Sequence, residues 1–323
     1  MPEPPSGGGE AAVSYPSQGV ALMSHLPLNT IGGGTSGSSI YGWVDPQTRR
    51  EYAIMGRSNG TAFVDVTDPV NPVFVANLPA QNGEATRWRE PKVYKNTVYV
   101  AVDQGGVGMQ VMNLAKLRAY AGTTMTLTAD NMYNEVAGIH TLAVNPASGF
   151  LYAAGTETYS GGIHAIDARN PLNPVHAGGF ADDGYTHEIQ VVNYHGPDTD
   201  WQNSEIAFAS DAFSGGSAKL AIVDVTNKSA MTRIAARTYP GGVFAHQGWL
   251  TDDHRYFFLG DEYDENNNVT GGHTRTHVWD MYDLDNPVYK GHVDLATTSI
   301  DHNLYVKGDY VFETNYTSGL RIL

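Results

Sequence analysis

The chain has 323 residues, 41% of them hydrophobic, with 36 glycines, 19 tyrosines, no cysteine and a formal net charge of −15. That charge argues against a nucleic-acid partner, which needs clustered Lys and Arg, and the lack of cysteine excludes disulfides and thiolate metal sites. No segment is apolar for long enough to span a membrane.

Residues 1–18 open with MPEPPSGGGEAA and carry no apolar run, so a flexible leader without a signal peptide is expected there. Residues 19–323 are expected to form one β-propeller. Residues 20–27 (VALMSHLP) resemble residues 73–79 (VFVANLP), the second half of a longer unit at 61–79, TAFVDVTDPVNPVFVANLP. In that unit Ala62, Val64 and Val66 alternate with Phe63, Asp65 and Thr67, the period-2 pattern of a strand. The prolines of DPVNP fix φ and remove donors, which forces a turn before the second strand.

The unit returns at 165–180 (AIDARNPLNPVHAGGF) and 277–293 (HVWDMYDLDNPVYKGHV), with looser copies at 109–118 and 220–239. A strand- and glycine-rich unit recurring at roughly 45 to 60 residues predicts an all-β propeller. Its blades are expected at 39–80, 87–127, 138–181, 185–240, 244–296 and from 299 onward, six in this chain. The lone strand at 20–27 is expected to close the ring as the outer strand of the last blade, leaving no open edge. Should the natural chain continue past Leu323, a seventh blade is expected and would take that strand.

Inner strands of four successive blades begin GIHTLAVN, YTHEIQVVNY, FAHQGWL and IDHNLYV, which places His140, His187, His246 and His302 at one structural position. The second blade has Glu90 near that place. Inner strands line the axis, so four imidazoles can converge at the channel mouth and hold Fe, Zn, Cu, Mn or Ni. Nearby carboxylates could orient the rings. Glu90, Tyr185 and Glu188 are the candidate acid–base or supporting groups. The other eight histidines do not share the position and read as surface or turn residues.

The run DEYDENNN from Asp261 offers oxygen ligands, and Asp261, Glu262 and Asp264 are candidate Ca²⁺ ligands. Asp65, Asp167, Asp224 and Asp280 recur before the turns and are expected to cap them. Asn268-Val269-Thr270 fits a glycosylation sequon. No nucleophile elbow, phosphate-binding glycine loop or HExxH motif occurs.

Long stretches of the chain resemble the choice-of-anchor B family, whose members carry LVIVD-type repeats. The resemblance lies in YGWVDPQTRREYAIMGRSNGTAFVDVTDPVNP from Tyr41, SGGIHAIDARNPLNP from Ser160, DDGYTHEIQ from Asp182, GPDTDWQ from Gly196, HQGWLTDDHRYFFLGDE from His246 and DHNLYVKGDYVFETNYTSGLRIL from Asp301. It implies a secreted or cell-surface propeller, followed in such proteins by a variable C-terminal anchor. Three functions stay open. One is a surface propeller binding a metal and an extracellular glycan, peptide or small molecule. Another is a metal-dependent enzyme of oxygenase or polysaccharide lyase type, an analogy of architecture alone. The third is a purely structural surface protein.

Overall fold

The computed structural model describes residues 15–83, 85–104, 106–212, 217–267 and 269–323. Most of the expected leader and Asn268 of the sequon lie outside the described residues. The chain folds into six small antiparallel sheets arranged as the blades of a six-bladed β-propeller. The first blade holds β1 (Gly37–Val44), β2 (Glu51–Arg57), β3 (Gly60–Asp65) and β4 (Val73–Pro79). The second holds β5 (Arg89–Tyr94), β6 (Thr97–Val102) and β7 (Met109–Asn113). The chain then lends β8 (Met125–Thr126) to the first blade, parallel to β4, before β9 (Asn131–Tyr133) completes the second. The expected end of that blade at residue 127 is therefore corrected. The third blade is β10 (Thr141–Asn145), β11 (Phe150–Ala154), β12 (Ile163–Asp167) and β13 (Val175–Phe180). The fourth is β14 (Glu188–Asn193), β15 (Glu205–Asp211), β16 (Lys219–Asp224) and β17 (Thr232–Thr238). The fifth is β18 (Ala245–Leu250), β19 (Tyr256–Asp261), β20 (Arg275–Asp280) and β21 (Val288–Asp294), and the sixth is β22 (Asn303–Lys307), β23 (Tyr310–Asn315) and β24 (Gly319–Ile322).

The sequence repeat has a backbone counterpart. Asp65, Asp167, Asp224 and Asp280 each accept the backbone N–H two residues on, from Thr67, Arg169, Thr226 and Tyr282, at 2.9–3.0 Å. That is the Asx turn the aspartates were expected to make. Beyond each turn the outer strand carries one extra residue, Val75, Ala177, Ile234 or Lys290. Such a bulge raises the local twist, as a radial blade requires.

The core lies between blades. One cluster (Trp43, Ile54, Phe63, Val98, Val100) joins the first and second, another (Tyr99, Met109, Leu142, Leu151) the second and third. Tyr152, Ile163, Val191 and Ala207 join the third and fourth, while Phe208, Leu220, Leu259 and Trp279 join the fourth and fifth. Inner strands pack in sequence around the axis, β1 on β5, β5 on β10, β10 on β14, β14 on β18 and β18 on β22.

The first and sixth blades do not pack this closely. Ile40 and Val44 of β1, and Tyr305, Tyr310, Leu320 and Ile322 of the sixth blade, are exposed. The sixth blade has three strands, and residues 20–27 do not supply a fourth. Instead Ser24 Oγ donates to Pro69 O at 2.7 Å, and Leu26, Leu28 and Ile31 pack against Ala53, Met55, Ala62 and Val64. This corrects the expected closure strand. An edge strand's N–H and C=O groups can be satisfied by water, so pairing gains little, whereas covering an aliphatic sheet face gains about 25 cal/mol per Å².

Of the histidines expected at the surface or in turns, His164 and His277 lie buried in strands, and His254 lies in a turn but is buried there. His164 meets Tyr133 Oη at 2.8 Å and Thr158 Oγ1 at 2.9 Å. Burial, then the neighbouring His176, pushes its pKa down to about 4. The unfolded chain titrates near 6.5, so between pH 6.5 and 4 it binds the proton that the folded chain refuses. The stability His164 provides is thus complete above pH 6.5 and lost as pH falls to 4. The stability gap between wild type and His164→Gln should shrink by up to about 3 kcal/mol over that window. Urea midpoints at pH 7.5 and 4.5 measure it, and an unchanged gap would refute the buried neutral imidazole.

Candidate metal centre

The repeat sets the four inner-strand histidines side by side. His140 and His187 stand just before β10 and β14, His246 is in β18, and His302 stands just before β22. The imidazole centroids of His140 and His187 are 4.0 Å apart, those of His187 and His246 4.7 Å, and those of His246 and His302 4.3 Å. Gly155 makes room for the first of them: it sits at φ 61°, and a Cβ there would come 2.6 Å from His140 Cβ.

Three of the rings are held by their Nδ1 atoms. His140 Nδ1 meets Asp103 Oδ2 at 3.3 Å, His187 Nδ1 meets Tyr185 Oη at 3.2 Å, and His246 Nδ1 donates to the carbonyl of His302 at 3.3 Å. A carboxylate or carbonyl beside Nδ1 fixes the proton there in the neutral ring and leaves Nε2 as a free lone pair. The Nε2 atoms of His140 and His187 face each other at 3.1 Å. Ligand atoms of His187, His246 and Glu262 lie within 4.8 Å of one another, and His246 Nε2 is 3.7 Å from Glu262 Oε2. Glu262 is fixed by Tyr316 Oη, which donates to Oε1 at 2.5 Å. Phe244 packs edge-on against His187, centroids 4.8 Å apart, and Tyr263 lies 4.5 Å from Phe244. His302 contributes its carbonyl and a ring packed on His246 rather than a member of the His187–His246–Glu262 group.

Electrostatics keep three of the four rings neutral. Burial, then the adjacent imidazoles, holds His187 and His246 well below the ordinary histidine value, and His302 is pushed down to about 4. At His140 burial works the same way but is outweighed by the Asp103 hydrogen bond and the Glu188 and Glu90 charges, which raise it. Neutral imidazole is the form that ligates a metal.

Beneath the rings lies a second polar layer. Glu188 accepts from Thr141 Oγ1 at 2.7 Å. Burial, then Glu90, pushes it up to about 7 against the opposing pull of Lys92 and His140. Glu90 forms an ion pair with Lys92, whose ammonium stands 5.5 Å over the Tyr41 ring. Glu90 thus sits beside Glu188 in this layer. Tyr185, one of the three candidate acid–base groups, is the orienting partner of His187. Asp103 is one of the nearby carboxylates expected to orient the rings, and it does so at His140, whereas sequence reasoning missed the roles of Lys92 and Tyr316.

The three candidate Ca²⁺ ligands do not converge. Asp261 is saturated by Phe244 N, Val243 N and Tyr239 Oη at 2.7–2.8 Å, so it anchors the start of β18. Glu262 turns to His246, and Asp264 turns to His277. Consecutive residues of a turn project in different directions, so adjacency in sequence did not become adjacency of oxygens.

Neither a family model nor a curated protein matches this chain. Solved structures do. A functionally unknown protein from Desulfotomaculum acetoxidans superposes with a TM-score of 0.62 at 10% identity, covering 88% of this chain and 81% of its own. The periplasmic gluconolactonase of Pseudomonas aeruginosa gives 0.58 at 11% identity, covering 88% and 80%. A hypothetical selenium-binding protein from Sulfolobus tokodaii gives 0.54 at 12% identity, covering 83% and 67%. These likenesses establish the propeller fold and nothing narrower. Among the described residues no helix is long and apolar enough to cross a membrane.

Proposed function

We propose that the protein is an exported propeller of the choice-of-anchor B type that holds a transition-metal ion on its axis. It would present that ion to a glycan, peptide or small molecule at the loop face. The family assignment and export rest on the sequence resemblance. The metal rests on one observation: three Nδ1 atoms are occupied by Asp103, Tyr185 and the His302 carbonyl, while Nε2 atoms and Glu262 face the space between them. A ring that served only to brace the neighbouring blade would not need its second nitrogen aimed at other second nitrogens. His140, His187, His246 and Glu262 would be the ligands, a set suited to Fe, Zn, Cu, Mn or Ni.

The layer beneath favours metal-dependent catalysis as a second reading. Glu188 is held near neutrality within electrostatic reach of His140, so it can accept or return a proton beside the centre. The ion itself would supply Lewis-acid or redox chemistry.

Elemental analysis of protein purified without added metal or a histidine tag tests the proposal, with about one equivalent of a transition metal expected. Asp103→Ala should weaken metal retention by about 10- to 100-fold, as loss of a ring-orienting partner does. Competition with a chelator reads this directly. A metal-free wild type that also takes up none of the five metals on incubation would return the histidines to a structural role.

A further inference from the structure

Beyond Glu262, the turn after β19 carries two buried carboxyl groups, and a third, Asp301, stands just before β22. Asp264 is 0% exposed, Asp301 3% and Glu265 7%. Four of their six oxygens have no hydrogen-bond partner: both of Asp264, Oε2 of Glu265 and Oδ1 of Asp301. The other two accept backbone N–H groups, Glu265 Oε1 from Asp301 and Asp301 Oδ2 from Asp261, each at 3.1 Å. These contacts tie the turn to the sixth blade and hold the three carboxyl groups together.

Among the described residues no cation is free to neutralise them. Arg275, whose charge reaches Asp264, is taken by Asp294 through Nε at 2.7 Å. His277 is an independent pointer to a ligand. It is 0% exposed, its Nδ1 is engaged by Tyr289 Oη at 3.0 Å, and its Nε2 has no hydrogen-bond partner and stands 3.5 Å from Asp264 Oδ2. A buried carboxylate left without donors costs several kcal/mol, a cost that a protein removes by protonating it or by supplying a counter-charge.

We propose that Asp264, Glu265 and Asp301 bind a hard divalent cation, Ca²⁺ first, with His277 steering the Asp264 carboxylate. Oxygen ligands on a turn suit Ca²⁺, whose coordination number and geometry are adaptable. The oxygens are not drawn onto one centre, so ligation would pull Asp264 and Glu265 toward Asp301. It would thereby fasten the fifth blade to the sixth. The site differs from the axial centre in ligand type, and its occupancy does not depend on that centre being filled.

Terbium titration tests it, because Tyr239, bonded to Asp261, and Trp279 beside it can sensitise Tb³⁺ emission. Wild type should show saturable emission that Ca²⁺ displaces, and should melt higher in Ca²⁺ than in EGTA by mass action. The Asp264→Asn/Glu265→Gln variant should lose about tenfold or more in apparent Tb³⁺ affinity and all Ca²⁺ dependence of melting. Its melting point in EGTA should equal or exceed that of wild type in EGTA, because the repulsion is gone. Should the double variant not fold, Asp264→Asn alone carries the same test. Absent saturable emission together with a Ca²⁺-independent wild-type melting point would overturn the site, as would a folded variant that binds Tb³⁺ like wild type.

Discussion

Replacing His187 and His246 together by alanine should take the axial metal from about one equivalent to background while leaving the β-rich circular dichroism spectrum in place. These two rings and Glu262 are the ligand atoms that lie within 4.8 Å of one another, so the double variant leaves only one carboxylate of that group. The strands do not depend on the rings. His187 keeps its backbone bond from N to Ser210 O at 2.8 Å, and β18 keeps its pairing with β19. Truncating His246 breaks one hydrogen bond, to the His302 carbonyl, and no strand pairing. Retention of the metal by the folded variant would remove the axial site. The same variant with its Tb³⁺ response intact would show that the acidic turn after β19 is a separate site.

The propeller was legible because a repeat writes its backbone rules into the chain several times. DPVNP and its copies announced turns, and the aspartates before them became Asx turns in four blades. The same copying aligned His140, His187, His246 and His302, and the fold brought the rings together. What stayed hidden has a common cause. In a propeller the middle strands are covered on both faces, as β3 and β15 are along their whole length. Alternation then no longer separates inside from outside, and His164 and His277, in the third strands β12 and β20, read as surface residues although they are buried. Of the partners from other blades, Asp103 was among the nearby carboxylates expected to orient the rings and reaches His140 from the second blade, whereas Tyr316 reaches Glu262 from the sixth with no signal in the sequence. The N-terminal segment was misread for a different reason. VALMSHLP carries a strand pattern, but the first blade's unclaimed aliphatic face, not an open edge, is what Leu26 and Leu28 cover.

Inter-blade polar hubs carry the other large effect, and Glu205 is where it should be greatest. This residue opens β15 and is 6% exposed. Its Oε1 accepts from Asn145 Nδ2 at 2.6 Å and from Ser148 Oγ and Tyr152 Oη at 2.7 Å, all on the third blade. Its Oε2 accepts from Lys228 Nζ at 2.6 Å in its own blade. Glu205→Ala leaves four donors without their acceptor, among them a mostly buried ammonium and a fully buried phenol. Breaking a buried pair by removing one partner costs about 3–5 kcal/mol. Glu205→Gln keeps an acceptor for the third-blade donors but loses the charge that Lys228 needs, so it should cost less, on the order of 2 kcal/mol. Urea titration separates the three proteins, with the midpoint falling in the order wild type, Gln, Ala and the slope unchanged. Equal midpoints for Gln and Ala would mean that the Lys228 ion pair inside the fourth blade, rather than the bridge to the third blade, carries the stabilisation.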